Sequence, residues 1–111
     1  LDWGQDLGNL KRWLDERGIT EPINLCYFGT ADPRYYQIAA INLPGAYNRA
    51  PRVGFDQARR PGYLAISATN LQGAYFSDEG RAQWRRFLGN ATLVDTIGYS
   101  IFVYRLERAN P

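Results

Sequence analysis

The amino-acid sequence predicts an α/β fold: a small layered sheet of about four to five strands with two main helices, Rossmann-like. Two observations lead to this prediction. Apolar residues recur at helical spacing in two segments, one near the start of the chain and one in its second half. Short apolar runs bounded by glycine, proline and polar residues lie between and after these segments, as is typical of strands. Helices that flank a series of strands indicate a layered α/β domain.

The first helix is predicted over 5–17, where one face of the helix collects the apolar residues Leu7, Leu10, Trp13 and Leu14. Gly18 is a natural helix stop. The second helix is predicted over 78–88 with Ser77 as its N-cap, and its apolar stripe consists of Trp84, Phe87, Leu88 and Ala91. Acidic residues in its first turn and arginines near its end suit the helix dipole.

Strands are predicted over 23–28, 38–43 and 63–68, and as a pair within 92–106 that turns at Gly98-Tyr99. The run 63–68 is apolar on both faces, which predicts a central position in the sheet. One helical turn is predicted over 34–37, between the first two strands.

Length and composition limit the classes of function that the chain can have. The 111 residues suit one domain, 1–111, and 45% hydrophobic with 22% charged residues is typical of a globular chain. A net charge of +2 is too small to indicate nucleic-acid binding. No run approaches the roughly 18 apolar residues of a membrane span. Because the chain begins at Leu1 and contains no Met, we expect it to be a fragment of a longer protein.

The lack of histidine limits the chemistry. Without His, Ser–His and Cys–His catalysis are excluded, and a single Cys leaves no basis for a transition-metal site or an internal disulfide. Cys26 lies in an apolar, strand-like run, which predicts a buried structural thiol. We therefore expect no catalytic residue, no metal and no cofactor in this domain.

Three polar, aromatic-rich segments follow predicted strands or begin a helix: 2–6, 27–36 and 67–73. Because ligands of open α/β sheets bind at the carboxyl ends of strands, we expect the three segments to meet at one edge. Aromatic faces stack on sugar rings, and carboxylates and amides bind sugar hydroxyls. The candidate ligand-binding residues are Asp2, Trp3, Gln5, Asp6, Asp32, Tyr35, Tyr36, Thr69, Asn70 and Gln72.

The same residues also have a structural interpretation. Asp2 and Asp6 are good helix caps, and Asp32 and Asn70 suit turns. Asp2 and Asp6 also have a spacing that could place two carboxyls for glycoside hydrolysis, although aspartates are common at helix starts because of the dipole. Capping, sugar binding and catalysis stay open as interpretations of these residues.

The predicted loop 44–62 is irregular, rich in proline and glycine, and basic. Loops of this length in a small domain are usually functional or mobile. Guanidinium groups bind phosphate, so the loop predicts contact with phosphate or a membrane component through Arg49, Arg52, Arg59 and Arg60. The alternative is a solvated loop without a partner.

Four segments resemble, in the same order, the C-terminal soluble region of bacterial multi-pass membrane glycosyltransferases similar to the dolichyl-phosphate-mannose protein mannosyltransferases. These segments are LDWGQDL at 1–7, YFGTADP at 27–33, ISATNLQG at 66–73 and IGYSIFVY at 97–104. The resemblance covers nearly the whole chain, and four motifs in one order are far more specific than one.

The resemblance implies a setting for the domain. The membrane part of such proteins uses a polyprenyl-phosphate sugar donor, and its acidic catalytic residues precede this region, so none of them corresponds to a residue here. The expected function is an extracytoplasmic accessory domain that assists sugar or acceptor binding, or packs on the membrane part of the same polypeptide. The alternatives are a structural or interaction module without a ligand, and an independent carbohydrate-active enzyme.

Overall fold

The computed structural model describes residues 5–26, 33–43, 53–67, 78–89, 91–98 and 101–108. In chain order its main elements are α1 (Gln5–Glu16), β1 (Ile23–Cys26), β2 (Ala40–Asn42), β3 (Gly62–Ser67), α2 (Asp78–Leu88), β4 (Thr92–Ile97) and β5 (Ile101–Leu106). Two 3-10 turns, Pro33–Tyr36 and Phe55–Gln57, lie before β2 and before β3. The α/β class predicted from the sequence is confirmed.

Most boundaries agree with the sequence pattern. The second helix has the predicted bounds, and α1 ends one residue early because Gly18 adopts the left-handed conformation, with φ of 66°, that glycine tolerates best. The second strand is shorter than predicted, since Gln37 also has a positive φ and the chain becomes a strand only at Ala40. Ile38 is buried nonetheless, so its apolar character reflects core packing ahead of the strand. Residues 27 and 28 of the first predicted strand lie outside the described residues.

The five strands form one mixed sheet in the order β2-β1-β3-β5-β4. Strands β2, β1 and β3 are parallel, whereas β5 is antiparallel to both β3 and β4. The central position predicted for the third strand is confirmed, because β3 pairs with β1 on one side and β5 on the other. The parallel part has the order 2-1-3, which also occurs in doubly wound sheets.

The sheet separates two apolar cores, one on each face. Alternate strand residues pack beneath α1 in the first core, which contains Leu7, Leu10, Trp13, Leu14, Ile23, Leu25, Ala65, Ile101 and Val103. The residues between them pack beneath α2 in the second core, which contains Cys26, Leu43, Leu64, Ile66, Trp84, Phe87 and Leu106. The thiol of Cys26 is buried there, as predicted.

The topology gives the sheet two distinct edges. We call the end where β1, β2 and β3 finish the carboxyl edge, and the end where they start the amino edge. Helix α1 connects to the start of β1 and α2 connects to the start of β4 beside the end of β5. Both helices therefore finish at the amino edge, and α1 begins toward the carboxyl edge.

One buried polar side chain fixes the segment that crosses from β2 to β3. Asn24, in β1, is fully buried among the residues of the second core. Its amide nitrogen donates to the carbonyl oxygens of Arg59 (2.9 Å) and Tyr63 (3.0 Å), and its side-chain oxygen accepts from the Arg59 backbone N–H (2.7 Å). These bonds hold the crossover against β1 and provide hydrogen-bond partners for two backbone groups of Arg59 and for the carbonyl oxygen of Tyr63.

We expect the substitution Asn24→Leu to destabilise the domain by about 2–4 kcal/mol, because it keeps the branched arrangement of heavy atoms but adds bulk and leaves backbone groups of Arg59 and Tyr63 without these partners. Urea unfolding followed by circular dichroism measures this. The control is Asn9→Leu on the partly exposed surface of α1, where the change should stay within about 0.5 kcal/mol. Equal effects of the two substitutions would contradict the role given to Asn24.

Candidate functional site

The carboxyl edge is where the polar, aromatic-rich segments join the fold. The start of α1, the end of β1 at Cys26 and the end of β3 at Ser67 lie at this edge, and Cys26 is in register with Ile66. The element ends that flank the three segments therefore lie at one edge. The candidates Asp2, Trp3, Asp32, Thr69, Asn70 and Gln72 lie outside the described residues, so their convergence stays a prediction.

Two tyrosines of the second segment are described, and they differ in exposure. Tyr36 is half-buried and packs on the first core, while the neighbouring Tyr35 is 82% exposed. Their rings meet edge to face, with centroids 5.2 Å apart and planes at 82°. Tyr36 thus anchors a short 3-10 turn on the core, and the turn presents Tyr35 to solvent.

Gly8 of α1 lies beside the ring of Tyr36. A methyl group built on Gly8 would lie 3.6 Å from Cε1 of Tyr36, which is ordinary van der Waals contact. Because Gly8 is the fourth residue of α1, this contact places the tyrosine turn beside the beginning of the helix. The exposed ring of Tyr35 consequently lies in the half of the domain that contains the carboxyl edge.

A second group of polar and aromatic side chains lies on the α1 face, where α1 meets β3, β5 and β4. We call Trp13, Arg17, Tyr63, Asp95 and Arg105 the Trp13 cluster. The rings of Trp13 and Tyr63 meet edge to face at 5.6 Å between centroids. The guanidinium of Arg17 lies 4.0 Å from the Trp13 ring centroid, and that of Arg105 lies 4.9 Å from the Tyr63 centroid.

Asp95 connects this cluster to β4. Its carboxylate accepts a 2.7 Å hydrogen bond from the indole Nε1 of Trp13, and its other oxygen accepts the backbone N–H of Thr96. Arg17 lies 3.5 Å from the same carboxylate. The indole hydrogen bond, the Thr96 N–H and the Arg17 charge, in that order, lower the pKa of Asp95 below its usual value. An ionised carboxylate held in this way suits a structural tie between α1 and β4 better than a proton donor.

The arginines of the loop 44–62 that are described have different roles. Arg49 and Arg52 lie outside the described residues. Arg60 donates to the carbonyl oxygens of Phe87 (2.9 Å) and Glu107 (3.2 Å), and its guanidinium lies 4.5 Å from the Phe87 ring centroid. Arg59 has an exposed side chain, although its backbone is held by Asn24. Both arginines lie at the amino edge, opposite the tyrosine turn.

Sequence reasoning missed the Trp13 cluster and Asn24. Trp13 and Asp95 are 82 positions apart, and no local pattern links them. Asn24 lies in an apolar run, and the one available signal was a single amide among large hydrophobic residues. The sequence does point to Tyr35 and Tyr36, because two adjacent aromatic residues in the segment after a strand can be recognised from the local sequence.

Within the described part of the chain, no group of three or more His, Cys, Asp or Glu side chains is placed to hold a metal ion. No helix among those residues is long and apolar enough to cross a bilayer. No protein-family model, no protein of known function and no solved structure matches the chain.

We expect Gly8→Ala to stabilise the domain by about 0.5–1 kcal/mol, because alanine favours the helix and its methyl group meets the Tyr36 ring at an ordinary distance. Thermal unfolding measures the gain. The matched control is Gly62→Ala, where the added methyl would lie 2.8 Å from the carbonyl oxygen of Arg59 and should lower stability. Destabilisation by Gly8→Ala would mean that the tyrosine turn is packed differently.

Because the fold lowers the pKa of Asp95, part of the free energy of unfolding depends on pH in the acidic range. Because the folded pKa lies below the ordinary value of 3.8, the ionised carboxylate stabilises the fold above that pH, and this contribution is lost as the pH falls through the folded pKa. Asp95→Asn should therefore cost stability at neutral pH and progressively less in acid, as measured by urea unfolding between pH 7 and pH 2.5.

Carbon NMR of the Asp95 carboxyl group supplies an independent measurement. Its titration midpoint should lie below 3.8, and it should rise in the Trp13→Phe variant, which lacks the indole donor. A cost of Asp95→Asn that is constant with pH, or a midpoint that Trp13→Phe leaves unchanged, would count against the described hydrogen bond.

Proposed function

We propose that this chain is an extracytoplasmic accessory domain of a bacterial membrane glycosyltransferase that uses a polyprenyl-phosphate-linked sugar. In this role the domain helps to bind the sugar donor or acceptor and packs on the membrane-embedded part of the same polypeptide. It does not catalyse the transfer itself. The proposal draws on the four-motif resemblance for its setting and on the carboxyl edge for its chemistry.

The observation that carries the binding role is the exposure of Tyr35. Tyr35 presents most of its surface to solvent, and its ring lies edge to face against the ring of Tyr36, which packs on the first core. A fixed, exposed aromatic face suits the apolar face of a pyranose ring. The start of α1 and the ends of β1 and β3 lie in the same half of the domain, and the polar candidates of the three segments adjoin these positions in the sequence.

The chemistry of the chain supports a binding role over catalysis. No histidine exists to act as a general base near neutral pH. The one described carboxylate with a shifted pKa, Asp95, is shifted downward and is tied to Trp13 and Arg17. A glycosidase acid requires the opposite shift.

We expect Tyr35→Ala to weaken sugar binding by about 2- to 10-fold, which corresponds to the loss of one aromatic stacking contact. The measurement is an NMR titration of the labelled chain with a panel of methyl glycosides, read from backbone amide shifts. Tyr35→Phe keeps the ring and removes only the hydroxyl, so it should bind as the parent does. If the parent and both variants have the same free energy of unfolding, a difference in sugar affinity reflects the side chain at position 35 and not a loss of the fold.

Three results would overturn the proposal in different ways. Absence of any shift with every glycoside would favour the structural module. Binding that Tyr35→Ala leaves intact would remove the tyrosine from the site. Glycoside hydrolysis that Asp2→Asn or Asp6→Asn abolishes would establish an independent carbohydrate-active enzyme instead.

A further inference from the structure

Arg60 joins three chain segments at the amino edge. Its guanidinium donates to the carbonyl of Phe87 at the end of α2 and to the carbonyl of Glu107 just after β5, and it precedes β3 in the chain. Another arginine is the sequence neighbour at each of these three positions. Arg59 adjoins Arg60, Arg86 adjoins Phe87, and Arg108 adjoins Glu107. Arg85 precedes Arg86 in the last turn of α2.

These five residues, Arg59, Arg60, Arg85, Arg86 and Arg108, form what we call the arginine edge. Arg60 is half-buried and engaged with carbonyl oxygens, whereas the other four are exposed. None of those four forms a side-chain ion pair with any residue that the structure describes. Arginines that lie close together without acidic partners among the described residues repel one another, so the arrangement favours a bound anion.

The arginine edge is a basic group of side chains. Glu107, the acid next to Arg108 in the sequence, lies 3.8 Å from Arg105, a residue of the opposite sheet face. The arginine edge and Glu107 together carry a formal charge of +4, so the remainder of the chain carries −2 of the total +2. Three acids of that remainder, Asp15, Glu16 and Glu21, lie at the same end of the domain, where α1 finishes and β1 starts, so the basic surface is the α2 side of the amino edge.

Exposed aliphatic side chains lie close to the arginine edge. Leu93 and Val94 are 48% and 45% exposed near the start of β4, which begins four residues after α2 ends. The pairing of β4 with β5 shifts register between Leu93 and Asp95, so Val94 lies in a bulge at the outer edge of the sheet. Aliphatic side chains beside arginines are typical of surfaces that lie against lipid headgroups.

We propose that the arginine edge docks on the surface of an anionic lipid bilayer, with its four exposed guanidiniums on lipid phosphates and with Leu93 and Val94 in the headgroup layer. An acidic protein would match the charge but not the two aliphatic residues. A free phosphate would need a concave group of donors, whereas four of the five arginines are exposed on three separate segments. The proposal rests on the proposed function for its membrane setting, but the binding itself is measurable without it.

The test uses the 111-residue chain and vesicles of phosphatidylglycerol mixed with phosphatidylcholine, compared with phosphatidylcholine alone, in a co-sedimentation assay. Two double variants each remove two positive charges from exposed or partly exposed helix surfaces: Arg85→Gln with Arg86→Gln on α2, and Lys11→Gln with Arg12→Gln on α1. Arginine near an anionic surface contributes enough binding energy that the α2 variant should bind roughly 30-fold more weakly. The α1 variant should bind as the parent does.

A second variant tests the aliphatic contribution. Leu93→Thr with Val94→Thr keeps strand propensity and charge, and it should weaken vesicle binding by at least several-fold at an ionic strength where the parent still binds. Thermal unfolding checks that each variant is folded. If the α2 variant does not fold, Arg108→Gln replaces it, because Arg108 lies after the last strand and its loss should weaken binding about fivefold.

Several outcomes would overturn the proposal. Equal loss in the α1 and α2 variants would mean that only net charge matters. Binding to polyglutamate but not to the anionic vesicles would favour an acidic protein, and phosphate-induced NMR shifts without vesicle binding would favour a soluble anion. The glycoside titration measures binding in the opposite half of the domain. A lack of glycoside binding would therefore not contradict vesicle binding, and a lack of vesicle binding would not contradict glycoside binding.

Discussion

The architecture depends on the need to cover both faces of the three central strands. Strands β1 and β3 bury nearly every side chain, because apolar residues on one face alternate with apolar residues or Asn24 on the other. A sheet of this kind is stable only with a layer on each side, which α1 and α2 provide. Each helix is followed by a strand that starts at the amino edge, so both helices finish there. Covering the sheet with helices in this way gives the domain two different ends, the amino edge and the carboxyl edge.

Two polar side chains that are buried or half-buried form hydrogen bonds to segments of the chain outside the regular hydrogen bonding of the helices and strands. Asn24 binds the crossover segment before β3, and Arg60 binds the carbonyl groups at the end of α2 and after β5. Neither residue contacts the tyrosine turn. Their placement indicates that much of the polar chemistry at the amino edge serves the fold, whereas the surface beside Tyr35 has no comparable internal partner among the described residues.

Local pattern was sufficient for the elements of this fold and for part of the site. The bounds of α2, the tyrosine-bearing turn and the central strand were all visible in spacing and in turn residues, because each depends on neighbours within a few positions. The indole of Trp13 looked like one more apolar residue of a helix stripe. Its partner on β4, the amide role of Asn24 and the convergence of arginines around Arg60 depend on which segments the sheet brings together, and spacing does not contain that information.

The bond between Trp13 and Asp95 has a consequence for how the chain reaches its native state. It joins residues 82 positions apart, so the amino-terminal helix cannot complete its contacts until nearly the whole domain has left the ribosome. The strand order has the same effect, because β3 must pair with β5 across an intervening helix and strand. Contacts this distant slow folding. A nascent chain that ends before β4 can pack α1 on β1 and β3, but it lacks Ile97, Ile101 and Val103, which complete the core beneath that helix.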